Sequence, residues 1–198
     1  MNPSNTRAPR RLPSSLLPVL FAVSSTLVFG HPGHGPVDGF GHGFDHPLSG
    51  WDHALAMIAV GIWAAQLGAR WLIPGAFVAM MSLGAVCGHM TGAVPGLDQG
   101  IAASVLILGL LIARTVRLPI GYAVALVGLF ALFHGVAHGA EMPASAGGLA
   151  FGMGFVAATV LLHAGGVALG VIAAGRSARL PQLAGWAIAA AGVAIATI

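Results

Sequence analysis

Long apolar runs, separated by short breaks rich in glycine, proline and arginine, dominate the chain after residue 46. Each run is long enough to cross a hydrocarbon core about 30 Å thick at 1.5 Å per helical residue. The six runs cover residues 48–68, 71–93, 97–116, 118–139, 147–174 and 180–198. No proline lies at the centre of a run. The pattern predicts an all-α integral membrane protein whose six-helix transmembrane bundle occupies residues 47–198.

The segment 1–30 has the pattern of a secretory signal peptide. Arg7, Arg10 and Arg11 precede the short apolar run 16–29, which is too short to span a membrane comfortably. Small residues at its end suit cleavage, which we expect after Gly30. An uncleaved membrane anchor is the alternative. In either case the chain that follows begins outside the cytoplasm.

Residues 31–46 are rich in glycine, proline and histidine and show neither helical nor strand periodicity. We therefore expect a flexible, His-rich periplasmic segment. Short tracts of this kind can collect metal ions, which makes His31, His34 and His42 candidate ligands. The alternative is a surface loop whose histidines have no such role.

Composition supports the membrane assignment and fixes an orientation. Only 7% of the residues are charged, against about 25% in soluble domains. All arginines beyond residue 30 fall at the end of the third run or in the breaks after the first, third and fifth runs, a distribution that makes this side cytoplasmic. These are Arg70, Arg114, Arg117, Arg176 and Arg179. Both mature termini are then periplasmic, and no cluster of positive charge suggests nucleic-acid binding.

Ionisable side chains in the apolar runs indicate a metal pathway, since such groups are costly in lipid and tend to mark ion routes. His134, His138 and Glu141 stand at i, i+4 and i+7, so one helical face presents all three. Two histidines at i, i+4 can bind one metal ion. Ordinary hydrogen-bonded packing residues are the alternative.

Asp52 and His53 lie near the periplasmic end of the first run, and His46 lies just before it. In a continuous helix the two histidines would stand about 10.5 Å apart along the axis. One ion could bond both only if the helix breaks, which Gly50 and Pro47 permit. Otherwise, as we favour, His46 is an entry ligand and the other two belong to a deeper site.

Two further histidines, His89 in the second run and His163 in the fifth, are also candidate ligands. Hydrogen bonds between helices would explain them equally well. With these residues, four of the six predicted helices contribute candidate ligands. The third and sixth contribute none and are expected to serve as scaffold.

The segments HPLSGWDH at 46–53 and FHGVAHGAE at 133–141 resemble the HupE/UreJ family of nickel/cobalt permeases. The signal-like start, HPGHG at 31–35 and LLHAGG at 161–166 also fit. The resemblance implies Ni²⁺ or Co²⁺ uptake across the bacterial inner membrane, serving a downstream metallochaperone or metalloenzyme maturation system. It implies that the functional residues of the two motifs are His46, Asp52, His53, His134, His138 and Glu141.

The expected function is therefore secondary uptake of a divalent metal ion. The sequence does not contain the GxxxxGK[ST] motif that would indicate ATP hydrolysis. Neither enzymatic activity nor a permanent cofactor is expected. The alternatives are an intramembrane metal-dependent hydrolase, with Glu141 as base, and a metal-sensing accessory protein that does not conduct. Ligands spread over several depths favour conduction over one closed catalytic site. The sequence does not choose between nickel and cobalt.

Overall fold

The computed structural model describes residues 39–92, 94–142 and 147–197. The predicted signal peptide, His31 and His34 lie outside the described residues. Within these ranges the chain is all-helical and contains no strand. The helices are α1 Gly39–Ser49, α2 Trp51–Leu67, α3 Leu72–Thr91, α4 Leu97–Ala113, α5 Ile120–Glu141, α6 Gly148–Arg176 and α7 Arg179–Ile195. Each of the six predicted runs overlaps one of the helices α2 to α7, and α5, α6 and α7 extend one or two residues beyond the predicted bounds.

Three helices, α3, α5 and α6, are long and apolar enough to cross a membrane. The pair α1 and α2 also qualifies if it counts as one span, although an 80° bend separates the two helices. Helix α4 is apolar but has 17 residues. The described residues therefore contain the apolar helices of a membrane protein.

Helix α1 corrects the prediction of an irregular segment over 31–46, which is wrong from Gly39 onward. This helix packs on α6 through glycines: a Cβ added at Gly43 would overlap the carbonyl of Phe151, and one at Gly154 would overlap that of Phe40. Because bare backbone forms much of this contact, the sequence shows no apolar periodicity. Pro47 lies near the C-terminal end of α1.

The other helices also associate in pairs through glycine contacts. Helix α3 packs on α5, α2 on α6, and α4 on α7, and in each pair an added Cβ would overlap the partner's backbone. Such close approach is typical of helices packed in membranes. The glycines at these contacts are Gly84, Gly88, Gly135 and Gly139 for the first pair, Gly61 and Gly166 for the second, and Gly109, Gly185 and Gly192 for the third.

The connections that carry arginine lie at one end of the bundle, called here the arginine end. Near the end of α2, Trp63 Nε1 donates to the carbonyl of Val116, which follows α4, at 3.0 Å. Gly185 near the start of α7 lies against Ala113 at the end of α4. The start of α2 and the end of α5, which carry most of the candidate ligands, are at the opposite end.

Candidate metal centre

The last turns of α1 and α5 bring three predicted ligands together. One donor atom from each of His46, His138 and Glu141 lies within 4.8 Å of the others. Glu141 Oε2 is 2.9 Å from His46 Nε2 and 3.8 Å from His138 Nδ1. Two imidazoles and a carboxylate form a donor set that suits divalent transition metals.

The bend between α1 and α2 places His53 beside the same group. Gly50 lies at the break in extended backbone, and a Cβ there would stand 2.9 Å from an Asp52 carboxylate oxygen. The ring centroids of His46 and His53 lie 4.9 Å and 4.2 Å from that of His138. The axial separation expected for a continuous helix therefore does not apply, and both histidines flank His138.

Asp52 contacts His53 and orients it. Its Oδ1 accepts from the backbone N–H of His53 at 2.8 Å and lies 2.7 Å from the ring Nδ1. A proton on Nδ1 that is shared with the carboxylate leaves the lone pair of Nε2 free. That Nε2 is buried and has no hydrogen-bond partner among the described residues. Asp52 thus fixes the orientation of the His53 ring and leaves Nε2 as the nitrogen with a free lone pair.

His134 lies one turn before His138 on α5, and a hydrogen bond likewise holds one of its ring nitrogens. Its Nδ1 donates to the carbonyl of Phe130 at 2.9 Å, and the side chain is fully buried. Its Nε2 has no partner within the described part of the chain, and the same holds for both ring nitrogens of His138. Leaving such a buried polar atom unpaired costs about 1–3 kcal/mol. Several such atoms stand together within a chain of adjacent histidines, where each offers a lone pair that a cation can accept.

Two phenylalanines of α6 line the group on its apolar side, and sequence reasoning missed them. Phe155 lies 4.2 Å from His138 between ring centroids, and Phe151 lies 5.7 Å from His46. Both rings are buried. Their i, i+4 spacing on α6 was the available signal, but it is also ordinary helix packing. Apolar rings beside the donors exclude water and strengthen the electrostatic attraction for a cation.

The structure keeps three other candidates apart from this group. His42 is exposed on α1. His89 is exposed on α3 and lines a groove of about 640 Å³ to which His138 also contributes. His163 is buried on α6, and the Phe77 ring contacts both it and His134.

The sequence pattern of the family described as HupE / UreJ protein matches residues 19–195. The chain belongs to the HupE/UreJ family. This confirms the resemblance carried by residues 46–53 and 133–141. One HupE/UreJ relative, Protein HupE of Rhizobium leguminosarum bv. viciae, is 44% identical over 161 residues, covering 80% of this chain and 84% of the relative. No solved structure matches the chain. The HupE/UreJ match includes every described helix, so all of the converging histidines fall within it.

Proposed function

We propose that this chain is a secondary permease that takes up Ni²⁺ or Co²⁺ across the bacterial inner membrane without ATP. The observation that carries the proposal is the convergence of His46, His138 and Glu141 beside His53 and His134, whose buried ring nitrogens include several without a partner in the described chain. Family membership supports it. A dication entering at this end meets ligands that replace part of its hydration shell.

The proposed topology is a six-helix bundle in which α1 and α2 together form the first, bent span. The arginine end is cytoplasmic by the positive-inside rule, and the mature termini are periplasmic after cleavage of the signal peptide. The ligand group then faces the periplasm. A dication moving inward through 100 mV gains about 4.6 kcal/mol, from about 2.3 per charge. The membrane potential can therefore drive uptake.

The donor chemistry suits transport of Ni²⁺ or Co²⁺. Imidazole and carboxylate bind both ions, and a pathway must also release its cargo. Thiolates would favour softer ions such as Cu⁺. The single cysteine, Cys87, is exposed on α3 and does not belong to the group. The site is therefore expected to bind these dications tightly enough to select them and loosely enough to let them pass.

Purified protein in proteoliposomes tests this function. With an inside-negative potential, protein facing either way, and Ni²⁺ or Co²⁺ outside, we expect ion accumulation above that in protein-free vesicles. Metal binding without flux would favour the accessory role, and cleavage of added lipid or peptide would favour the hydrolase. Competition between the two ions in the same vesicles identifies the preferred cargo.

Asp52→Asn is expected to weaken Ni²⁺ binding about 10- to 100-fold, as loss of a carboxylate behind a histidine ligand usually does. The amide no longer enforces the His53 tautomer with free Nε2. Isothermal titration calorimetry on the purified protein measures the change. Asp45→Asn, an exposed aspartate on α1, is the matched control and should bind like wild type. Equal affinity of the Asp52 variant would refute the orienting role.

Uptake is expected to fall as the external pH is lowered, because a protonated imidazole cannot bind a cation. Ni²⁺ flux into proteoliposomes at constant membrane potential, measured from pH 7.5 to 5, checks this. A flat profile would contradict binding by neutral histidines.

A further inference from the structure

His163 is a buried histidine without a structural explanation. Its side chain is 2% exposed, and neither ring nitrogen has a hydrogen-bond partner in the described ranges. A histidine that served helix packing would make at least one hydrogen bond, since an unpaired buried polar group costs about 1–3 kcal/mol. This ring resembles His134 and His138 in its unused lone pair, although it lies outside their cluster.

A single aromatic ring, that of Phe77, contacts both His163 and His134. His134 belongs to the outer group, the name used here for His46, His53, His134, His138 and Glu141. The Phe77 centroid is 4.9 Å from that of His163 and 5.6 Å from that of His134. Phe77 is fully buried on α3. The face of such a ring attracts cations weakly within about 6 Å. His134 and His163 are therefore linked through contacts with the same ring, that of Phe77.

Beyond His163 an open groove extends toward the arginine end. This groove, of about 360 Å³, lies between α3 and α6 and is lined mainly by apolar residues. His163 lines it together with Val160, Pro74 and Val78, and Arg70 and Trp71 line its other end. The outer group contributes no residue to it. His163 is thus the imidazole that both lines this groove and contacts Phe77.

We infer that His163 is a separate inner position for the transported dication, between the outer group and the arginine end. The inference rests on the proposed function. The outer group offers several donors, whereas His163 offers one imidazole, so the ion is held more loosely there. Weak binding at the last position is what release requires. Phe77 keeps the two positions apart.

The test separates equilibrium binding from transport. In His163→Leu we expect the Kd for Ni²⁺, measured by equilibrium dialysis of purified protein, to stay within about 2-fold of wild type because the outer ligands are untouched. Flux into proteoliposomes should fall about 10-fold or more because the inner position is lost. His163→Gln, which keeps polarity and similar size, should show the same split if the leucine variant folds poorly.

Thr159→Val is the matched control, since Thr159 is also fully buried on α6, one turn before His163, and its hydroxyl is already bonded to the carbonyl of Phe155. It should change neither Kd nor flux. Wild-type flux in both His163 variants would overturn the inference, and so would loss of Ni²⁺ binding in both. If wild-type protein binds Ni²⁺ but transports none, the proposed function itself fails, a result that does not depend on the variants.

Discussion

His138→Leu is expected to reduce Ni²⁺ uptake about 100-fold or more while leaving the protein at least as stable as wild type. His138 is the ring that contacts His46, His53 and Glu141 together, so its loss divides the outer group. Its nitrogens make no hydrogen bond within the described structure. Leucine therefore removes two unpaired polar atoms and retains an apolar contact with Phe155.

Radioactive Ni²⁺ uptake in cells, normalised to the amount of protein in the membrane, measures the first effect. The apparent Tm in detergent measures the second. His42→Leu is the matched control because His42 is exposed on α1 and outside the group. A His138→Leu protein that transports normally, or one that unfolds while the control folds, would show that His138 serves packing rather than metal binding.

Gly166→Ala and Gly165→Ala, identical changes at adjacent positions, are expected to have opposite effects on stability. A Cβ at Gly166 would overlap the carbonyl of Ile58 and lie 3.0 Å from the Cα of Gly61, so α2 and α6 must separate. Overpacking of this kind costs about 1–3 kcal/mol. At Gly165 nothing lies within 4 Å. Alanine there favours the helix by about 1 kcal/mol.

The apparent Tm of the two variants, measured in one detergent at one heating rate, should differ by about 10 °C at roughly 2–4 °C per kcal/mol. The Gly166 variant should also lose uptake, since α2 and α6 carry His53 and His163. Equal Tm values would contradict the close packing of these helices. They would also remove the support that this packing gives to the position of His53.

The sequence predicts the parts of the site that depend on local spacing. His138 and Glu141 share a face because three residues on a helix turn through nearly one full turn. The helices from α2 onward follow from uninterrupted apolar runs. The position of His46 beside His138 could not be predicted, because it depends on α1 and on an 80° bend. Glycine contacts stabilise α1, and these leave no apolar pattern.

Other features of the site arise only from the packing of distant helices. The sequence presents Asp52 as a candidate ligand, and in the structure its Oδ1 contacts the backbone N–H and the ring Nδ1 of His53. His89 has the same residue type and apolar surroundings as His163, but α3 exposes one and α6 buries the other. Phe77 and Phe155 are indistinguishable from core residues until their rings are seen against histidines. Residue type and spacing alone do not determine which face of a helix is turned toward the site.

Nickel X-ray absorption spectroscopy on the purified, Ni²⁺-loaded protein tests most directly whether imidazoles from separate helices bind one ion. The convergence of His46, His138 and His53 with Glu141 predicts a spectrum with at least two imidazole ligands and oxygen, without sulfur, and with fewer imidazoles in His138→Leu. A spectrum of hydrated nickel, or of nickel bound to the thiolate of Cys87, would contradict the account.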